Sequence, residues 1–95
     1  MIKWKRLQRI CNEIVPGDGV SIHLTTDMDP SIRGAVVNRD ILLNAQHCKS
    51  EDDVIEAIAH EVAHILTGDK ESNEFMKKLI QLRKYIRKKY YGKKR

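Results

Sequence analysis

Two histidines and a glutamate stand at a spacing that suits metal-dependent hydrolysis. The segment His60-Glu61-Val62-Ala63-His64 has the pattern HExxH. Because residues four apart lie on the same face of a helix, both imidazoles can bind one zinc ion while Glu61 reaches the metal-bound water. The pattern therefore predicts a metallopeptidase that hydrolyses peptide bonds, with Zn2+ as cofactor and Glu61 as general base.

A helix is predicted around this motif. Ser50 is a suitable N-cap, the three residues after it are acidic, and Gly68 follows His64 by about one turn. At about 100° per residue, the large apolar side chains fall opposite the histidine side. These apolar residues are Ile55, Ile58, Val62, Ile65 and Leu66.

The candidates for the third metal ligand are the acidic residues that follow the helix. A catalytic zinc usually takes three protein ligands and a water, and Asp69, Glu71 and Glu74 are the candidates. If the last helix begins by Glu71, that side chain projects about 40° from Phe75 toward the core, whereas Glu74 lies about 100° away. Asp69 is better suited to cap the last helix. Glu71 is the predicted ligand, and Asp69 and Glu74 stay as alternatives.

The other segments predict an α+β fold with a small three-stranded, mostly antiparallel sheet. An amphipathic first helix is predicted from Ile2 to Val15, and a long last helix from about Ser72 to Tyr91. Val20 to Thr25 alternates apolar and polar residues, as a strand with one buried face does. Asn38-Arg39-Asp40 separates two short apolar runs, which predicts a tight hairpin.

The strand just before the motif helix is expected to border the active-site cleft. A free edge on this strand can pair with the backbone of an extended peptide. A peptide or protein substrate would then be held with little selectivity for its side chains. The predicted substrate-binding residues are Ile41, Leu42, Leu43 and Asn44, and an edge strand without a binding role is the alternative.

Length and composition favour one domain, residues 1–95. The chain has 95 residues, 41% hydrophobic and 33% charged, which is ordinary for a globular protein. It has no apolar run long enough to span a bilayer, and its amino terminus lacks the apolar block of a secretion signal. A cytoplasmic protein is expected. Cys11 and Cys48 are predicted to be reduced structural thiols, because they have neither close spacing nor the density of a disulfide scaffold.

The net charge of +5 is concentrated at the carboxyl end. From Lys77 onward the chain has ten Lys or Arg residues and no acid. Such a segment can contact nucleic acid or anionic lipid, so a basic binding module with a structural metal is the alternative function. Structural zinc normally has four protein ligands, whereas HExxH leaves an open site. For the basic segment, a solvated helix face with a frayed tail is the favoured interpretation, and nucleic acid is not the expected partner.

A family resemblance adds to this interpretation. HEVAHILTGD resembles the metal helix of membrane-embedded zinc peptidases of the HtpX kind, and KESNEFMKKL resembles their following glutamate helix. Because this chain has no such membrane segments, its layout is most similar to the minigluzincins, the small soluble counterparts of those catalytic domains. The resemblance implies a zincin-like fold, with His60 and His64 as zinc ligands and Glu61 as the catalytic residue.

Two further expectations follow from the resemblance. The family's usual acidic motif is Glu-x-x-Ala-Asp, whereas the segment from Asp69 to Asn73 puts an aspartate where the ligand glutamate belongs. This departure keeps Asp69 as an alternative to Glu71. Minigluzincins are also latent forms whose carboxy-terminal segment covers the cleft, within one chain or by exchange between two chains. Here the basic helix and tail 76–95 would cover the cleft, which implies a zymogen and, in the exchanged form, a homodimer.

Overall fold

Three α-helices and one three-stranded β-sheet form the fold in a computed structural model, which describes residues 2–17, 19–68 and 70–92. In chain order the elements are α1 (Trp4–Ile14), β1 (Ser21–Thr25), β2 (Gly34–Val37), β3 (Asp40–Asn44), a 3-10 turn (Ala45–His47), α2 (Glu51–Thr67) and α3 (Asn73–Tyr91). The α+β class and the predicted order of helices and strands are confirmed.

The sheet is mixed, with the strand order β1-β3-β2. β3 pairs in parallel with β1 and antiparallel with β2. The predicted hairpin is confirmed between β2 and β3, where Asn38 has a φ of 58°, a conformation that Asn adopts more readily than most residues. The expectation of a mostly antiparallel sheet is wrong, because one of the two strand pairs, β1 with β3, is parallel.

β3 is the central strand and therefore has no free edge. All five of its residues pair with β1, and four of them also pair with β2. Asn44 is buried as well, and its side chain donates a hydrogen bond to the Ile32 carbonyl at 2.7 Å. The predicted peptide-pairing edge is wrong because these backbone groups already hold the sheet together. The residues concerned are Ile41, Leu42, Leu43 and Asn44.

The two outer edges of the sheet differ in what covers them. At β1, the Gln8 amide donates to the Val20 carbonyl and accepts from the Ile22 N–H at 3.2 Å, and the Asn12 side chain accepts from the Val20 N–H at 3.1 Å. These side chains of α1 satisfy the start of that edge, as far as the Ile22 N–H, as a neighbouring strand would. On the outer edge of β2, no backbone partner is found within the described ranges. β2 therefore has an open edge along its length.

The ends of α2 and α3 are set by capping residues. The Ser50 hydroxyl accepts the Asp53 N–H at 3.1 Å, and Gly68 ends α2 with a φ of 104°, as the sequence predicted. Ser72 is the N-cap of α3. The prediction that Asp69 caps this helix is therefore wrong, and the position of Asp69 itself lies outside the described residues.

α3 runs back along α2, and its apolar stripe closes the core. Arg83 Nε lies 2.6 Å from Glu56 Oε2, and Arg87 Nε lies 3.7 Å from Asp52 Oδ1. Part of the basic segment is thus paired with acids near the amino-terminal end of α2. The buried residues of α3 are Phe75, Leu79, Leu82, Ile86 and Tyr90.

Two expectations drawn from composition agree with the described structure. Cys11 and Cys48 are free thiols. Burial raises the pKa of Cys11 to about 12, so this thiol stays protonated and unreactive near neutral pH. None of the described helices has both the length and the apolar character of a membrane span.

Tyr90 ties the end of α3 to the amino terminus and to α2. Its hydroxyl accepts from the Lys3 N–H at 2.9 Å and donates to a Glu51 carboxylate oxygen, and the residue is only 1% exposed. Tyr91 donates a comparable hydrogen bond to Asp52 at 2.9 Å but is 52% exposed. The neighbouring tyrosines therefore form a matched pair, with part-buried hydrogen bonds at Tyr90 and an exposed one at Tyr91.

We expect Tyr90→Phe to lower the free energy of unfolding by about 1–2 kcal/mol, because it removes two part-buried hydrogen bonds, one from the Lys3 N–H and one to Glu51. Tyr91→Phe should change that free energy by less than about 0.5 kcal/mol, because water replaces the lost partner. Urea denaturation of both variants measures the difference. Equal losses in the two variants would contradict the role assigned to Tyr90.

Candidate metal centre

The structure brings the two motif histidines and Glu71 together. A carboxylate oxygen of Glu71 lies 3.3 Å from His60 Nε2 and 3.5 Å from His64 Nε2. One donor atom from each of the three residues falls within 4.8 Å of the others. These are the residues predicted as ligands, and in the described part of the chain no other group of this kind is found.

The spacing of these donors suits a tetrahedral metal ion. Zinc binds imidazole nitrogen and carboxylate oxygen at about 2.0–2.2 Å, so two ligands of one tetrahedron lie roughly 3.3 Å apart. The two nitrogen-to-oxygen distances, 3.3 and 3.5 Å, fit that separation. Two imidazoles and one carboxylate also leave a fourth position open. The group could therefore hold a divalent metal ion.

Contacts behind the histidines fix the direction of their rings. His64 Nδ1 lies 3.0 Å from the Gly68 carbonyl oxygen, so a proton on Nδ1 leaves Nε2 free to bind a metal. Phe75 is fully buried; its ring stacks on His64 with centroids 4.4 Å apart and meets His60 at 5.2 Å in a T-shaped arrangement. The start of α3 therefore holds both imidazoles in place.

Glu71 reaches the histidines from outside the last helix. α3 begins at Asn73, with Ser72 as its N-cap, so Glu71 is not helical and the projection angle that favoured it is wrong. Its side chain is 57% exposed rather than part of the buried stripe. The extended backbone at Ser72, with ψ of −179°, separates Glu71 from the helix and lets its carboxylate face α2.

The two alternative acids are not found at the donor group. Glu74 lies exposed in the first turn of α3 and does not belong to the group. Asp69 lies outside the described residues, so its candidacy as a ligand stays a prediction. Glu71 is the acid that the described geometry supports.

Glu61 is buried beside this group, with an exposure of 5%. Burial raises the pKa of its carboxyl group, His64 lowers that pKa, and the negative charge of Glu71 raises it. A Cβ atom added at Gly34 would stand 3.1 Å from Glu61 Oε2 and 3.0 Å from the Leu42 carbonyl oxygen. Glycine therefore allows β2 to approach the carboxylate closely.

The surroundings of His60 favour the unprotonated imidazole. Burial is the largest cause that lowers its pKa, and the charge of His64 lowers it further. Glu71 acts in the opposite direction, while the positive charge of Arg33 makes the smallest lowering contribution. An unprotonated imidazole is the form that binds a metal, so burial prepares His60 for that role.

Two residues missed at the sequence level line the cleft that contains His60 and Glu61. Arg33 and Gly34 stand on its β2 side, and the cleft has a volume of about 350 Å³. An isolated glycine beside an apolar run is a signal for close backbone approach, and this signal was available for Gly34. No local pattern marks Arg33, because its position depends on which strand forms the sheet edge.

The described part of α3 does not line this cleft. The lining comes from the segment 31–34, from His47 and from α2. A neighbouring cavity beside His64 is lined by Val36, Asn38 and Ile65, again without a residue of α3. Two forms of the predicted covering stay predictions. Residues 93–95 of the same chain, or the segment 76–95 of a second chain, would cover the cleft.

No protein-family model matches the chain, and no curated protein or solved structure matches it at a significant level. The interpretation of the site therefore depends on the chemistry and geometry of its own residues.

We expect Glu71→Gln to weaken Zn2+ binding by at least about 100-fold, because it removes the anionic ligand of the group, and outer-shell changes alone cost roughly 10–100-fold. Glu74→Gln removes a nearby carboxylate outside the group and should leave the affinity within about twofold of its original value. Competition against a chromophoric chelator measures both affinities. If Asp69→Asn weakens binding and Glu71→Gln does not, the third ligand has been assigned to the wrong acid.

Proposed function

We propose that the protein is a zinc-dependent metallopeptidase of the minigluzincin type, with a zincin-like fold. The position of Glu61 is the observation that supports the proposal. This buried carboxyl group shares a cleft with His60, which is one of three residues that together could bind a metal ion. Three protein ligands with a potential base beside them are typical of catalytic zinc, whereas structural zinc commonly has four ligands that include cysteine. Cys11 and Cys48 both lie outside the donor group.

Metal binding and proton transfer are assigned to different residues of the site. His60, His64 and Glu71 would hold a zinc ion, which when bound would act as a Lewis acid toward the scissile carbonyl and lower the pKa of water. Glu61 accepts a proton from the attacking water and later delivers it to the leaving amine. Burial raises the pKa of Glu61, which favours a group that must both take up and release a proton near neutral pH.

The open edge of β2 offers a binding surface for an extended peptide. The Arg33 carbonyl accepts the Asn44 N–H at 2.9 Å, so the backbone of Arg33 faces β3. Since alternate residues of a strand direct their backbone groups to opposite edges, Gly34 and Val36 face the open edge. A peptide backbone that pairs there passes close to Glu61, because Gly34 lies against that carboxylate. β2 thus replaces β3 as the proposed substrate-binding strand.

Glu61→Gln tests the assigned general base. We expect it to reduce hydrolysis of a fluorescently quenched casein by roughly 10²–10⁴-fold, while the protein keeps its full zinc content because Glu61 is not a ligand. Glu13→Gln, at an exposed position of α1, should retain both activity and zinc. Metal analysis and cleavage assays on the same samples measure the zinc content and the rate of hydrolysis. Undiminished hydrolysis by the zinc-loaded Glu61 variant would rule out this role.

Gly34→Ala tests the close approach of β2 to the base. The added methyl group must displace the Glu61 carboxylate or the strand by a few tenths of an ångström. We expect kcat/KM to fall by roughly 10–100-fold, because small misplacements of reacting groups are costly. Zinc affinity should not change, because the three atoms nearest to the added methyl group belong to Leu42 and Glu61 and not to a metal ligand. Full activity in a correctly folded Gly34→Ala variant would show that β2 does not position the base.

A further inference from the structure

Arg33 places a positive charge in the active-site cleft without a partner of its own. In residues 2–17, 19–68 and 70–92, no carboxylate lies within ion-pair distance of its guanidinium, and no acceptor is hydrogen-bonded to it. Other arginines are engaged: Arg39 donates to the carbonyls of Gly19 and Pro16, and Arg83 binds Glu56. The guanidinium of Arg33 is therefore available to a ligand.

The backbone of Arg33 is held firmly although its side chain is exposed. Its carbonyl accepts the Asn44 N–H at 2.9 Å. The buried Asn44 side chain also donates to the carbonyls of Asp29 and Ile32, at 3.1 and 2.7 Å. The chain just before β2 is thereby fixed, so the arginine side chain projects from a defined point at the end of the open edge.

The acids on this side of the molecule have other partners. Asp53 and Glu56 line the neighbouring cavity together with Arg33. Glu56 is bound by Arg83 at 2.6 Å, and Asp53 accepts the Lys49 N–H at 3.1 Å. Neither acid is bonded to Arg33, so the hydrogen-bond donors of its guanidinium stay free for a ligand at this end of the cleft.

The direction of a bound peptide determines which of its parts meets this charge. Antiparallel strand pairs are the commoner kind, and a peptide antiparallel to β2 runs from the Asn38 end toward Arg33. Because Gly34 stands beside Glu61, the residues that follow the scissile bond pass Arg33. A guanidinium binds a carboxylate through two parallel hydrogen bonds, which gives both strength and orientation.

We propose that Arg33 is a specificity-determining residue that binds a carboxylate on the carboxyl-terminal side of the scissile peptide bond. The assignment of a side relative to that bond rests on the proposed peptidase function. The carboxylate is either the free α-carboxylate of a short peptide or the side chain of an Asp or Glu. The first source makes the protein a peptidase of chain ends, and the second makes it selective for acidic sequences.

Binding to the zinc-loaded Glu61→Gln protein tests the proposal without turnover. The probes are fluorescein-labelled eight-residue peptides of Ala, Gly and Ser, with either a free or an amidated carboxyl end. A second series, always amidated, carries one Asp, Asn or Lys at each position in turn. Fluorescence anisotropy should show at least about tenfold tighter binding of the free acid than of its amide, or of an Asp peptide than of its Asn counterpart.

Variants of Arg33 connect this preference to the side chain. In the Glu61→Gln background, Arg33→Gln should remove the preference for carboxylate, and Arg33→Lys should restore part of it as a point charge without the paired geometry. Arg9→Gln, at an exposed arginine on α1, is the matched control and should preserve the preference. A preference that survives Arg33→Gln would overturn the proposal, as would equal binding of all peptides or a preference for the Lys peptides.

Hydrolysis by the protein with Glu61 intact separates this proposal from the proposed function. Cleavage of the peptides without a carboxylate preference would overturn the role of Arg33 and leave the peptidase standing. An Arg33-dependent preference in binding without cleavage of any peptide would overturn the peptidase and support Arg33 as a carboxylate-binding residue. The difference between the free-acid series and the Asp series identifies the source of the carboxylate.

Discussion

The candidate metal centre depends on the packing of α3 against the histidine face of α2. Phe75 contacts both imidazole rings, and the short connection before it places the Glu71 carboxylate within 3.5 Å of both Nε2 atoms. Burial of the Phe75 ring removes apolar surface from water, and the same packing gathers three polar donors at one point. The far end of α3 is held by Tyr90, which contacts Lys3 and Glu51, so the helix is fixed at both ends.

Features that depend on residues close together in the sequence could be predicted. The helical spacing of His60 and His64, the cap at Ser50 and the stop at Gly68 were all read correctly, because their interactions form within one or two helical turns. The tight turn at Asn38 and Arg39 is local in the same sense. Glu71 lies beside both histidines as expected, but through the extended backbone at Ser72 and not through the helical angle that favoured it; its role as a ligand stays a prediction.

Features that depend on distant residues were missed. Whether β3 has a free edge is decided by β1, some twenty residues earlier, which pairs with all five residues of β3. No local pattern reports such pairing, because strand order is a property of the whole sheet. The contact of Gly34 with Glu61 and the place of Arg33 in the cleft both follow from that order.

X-ray absorption at the zinc edge of the metal-loaded protein tests the central claim most directly, because it reports the ligand atoms themselves. The convergence of His60, His64 and Glu71 predicts a first shell of nitrogen and oxygen at about 2.0–2.1 Å, with the multiple-scattering pattern of two imidazoles. A sulfur shell at about 2.3 Å would place a cysteine on the metal and contradict the site, as would a spectrum without imidazole.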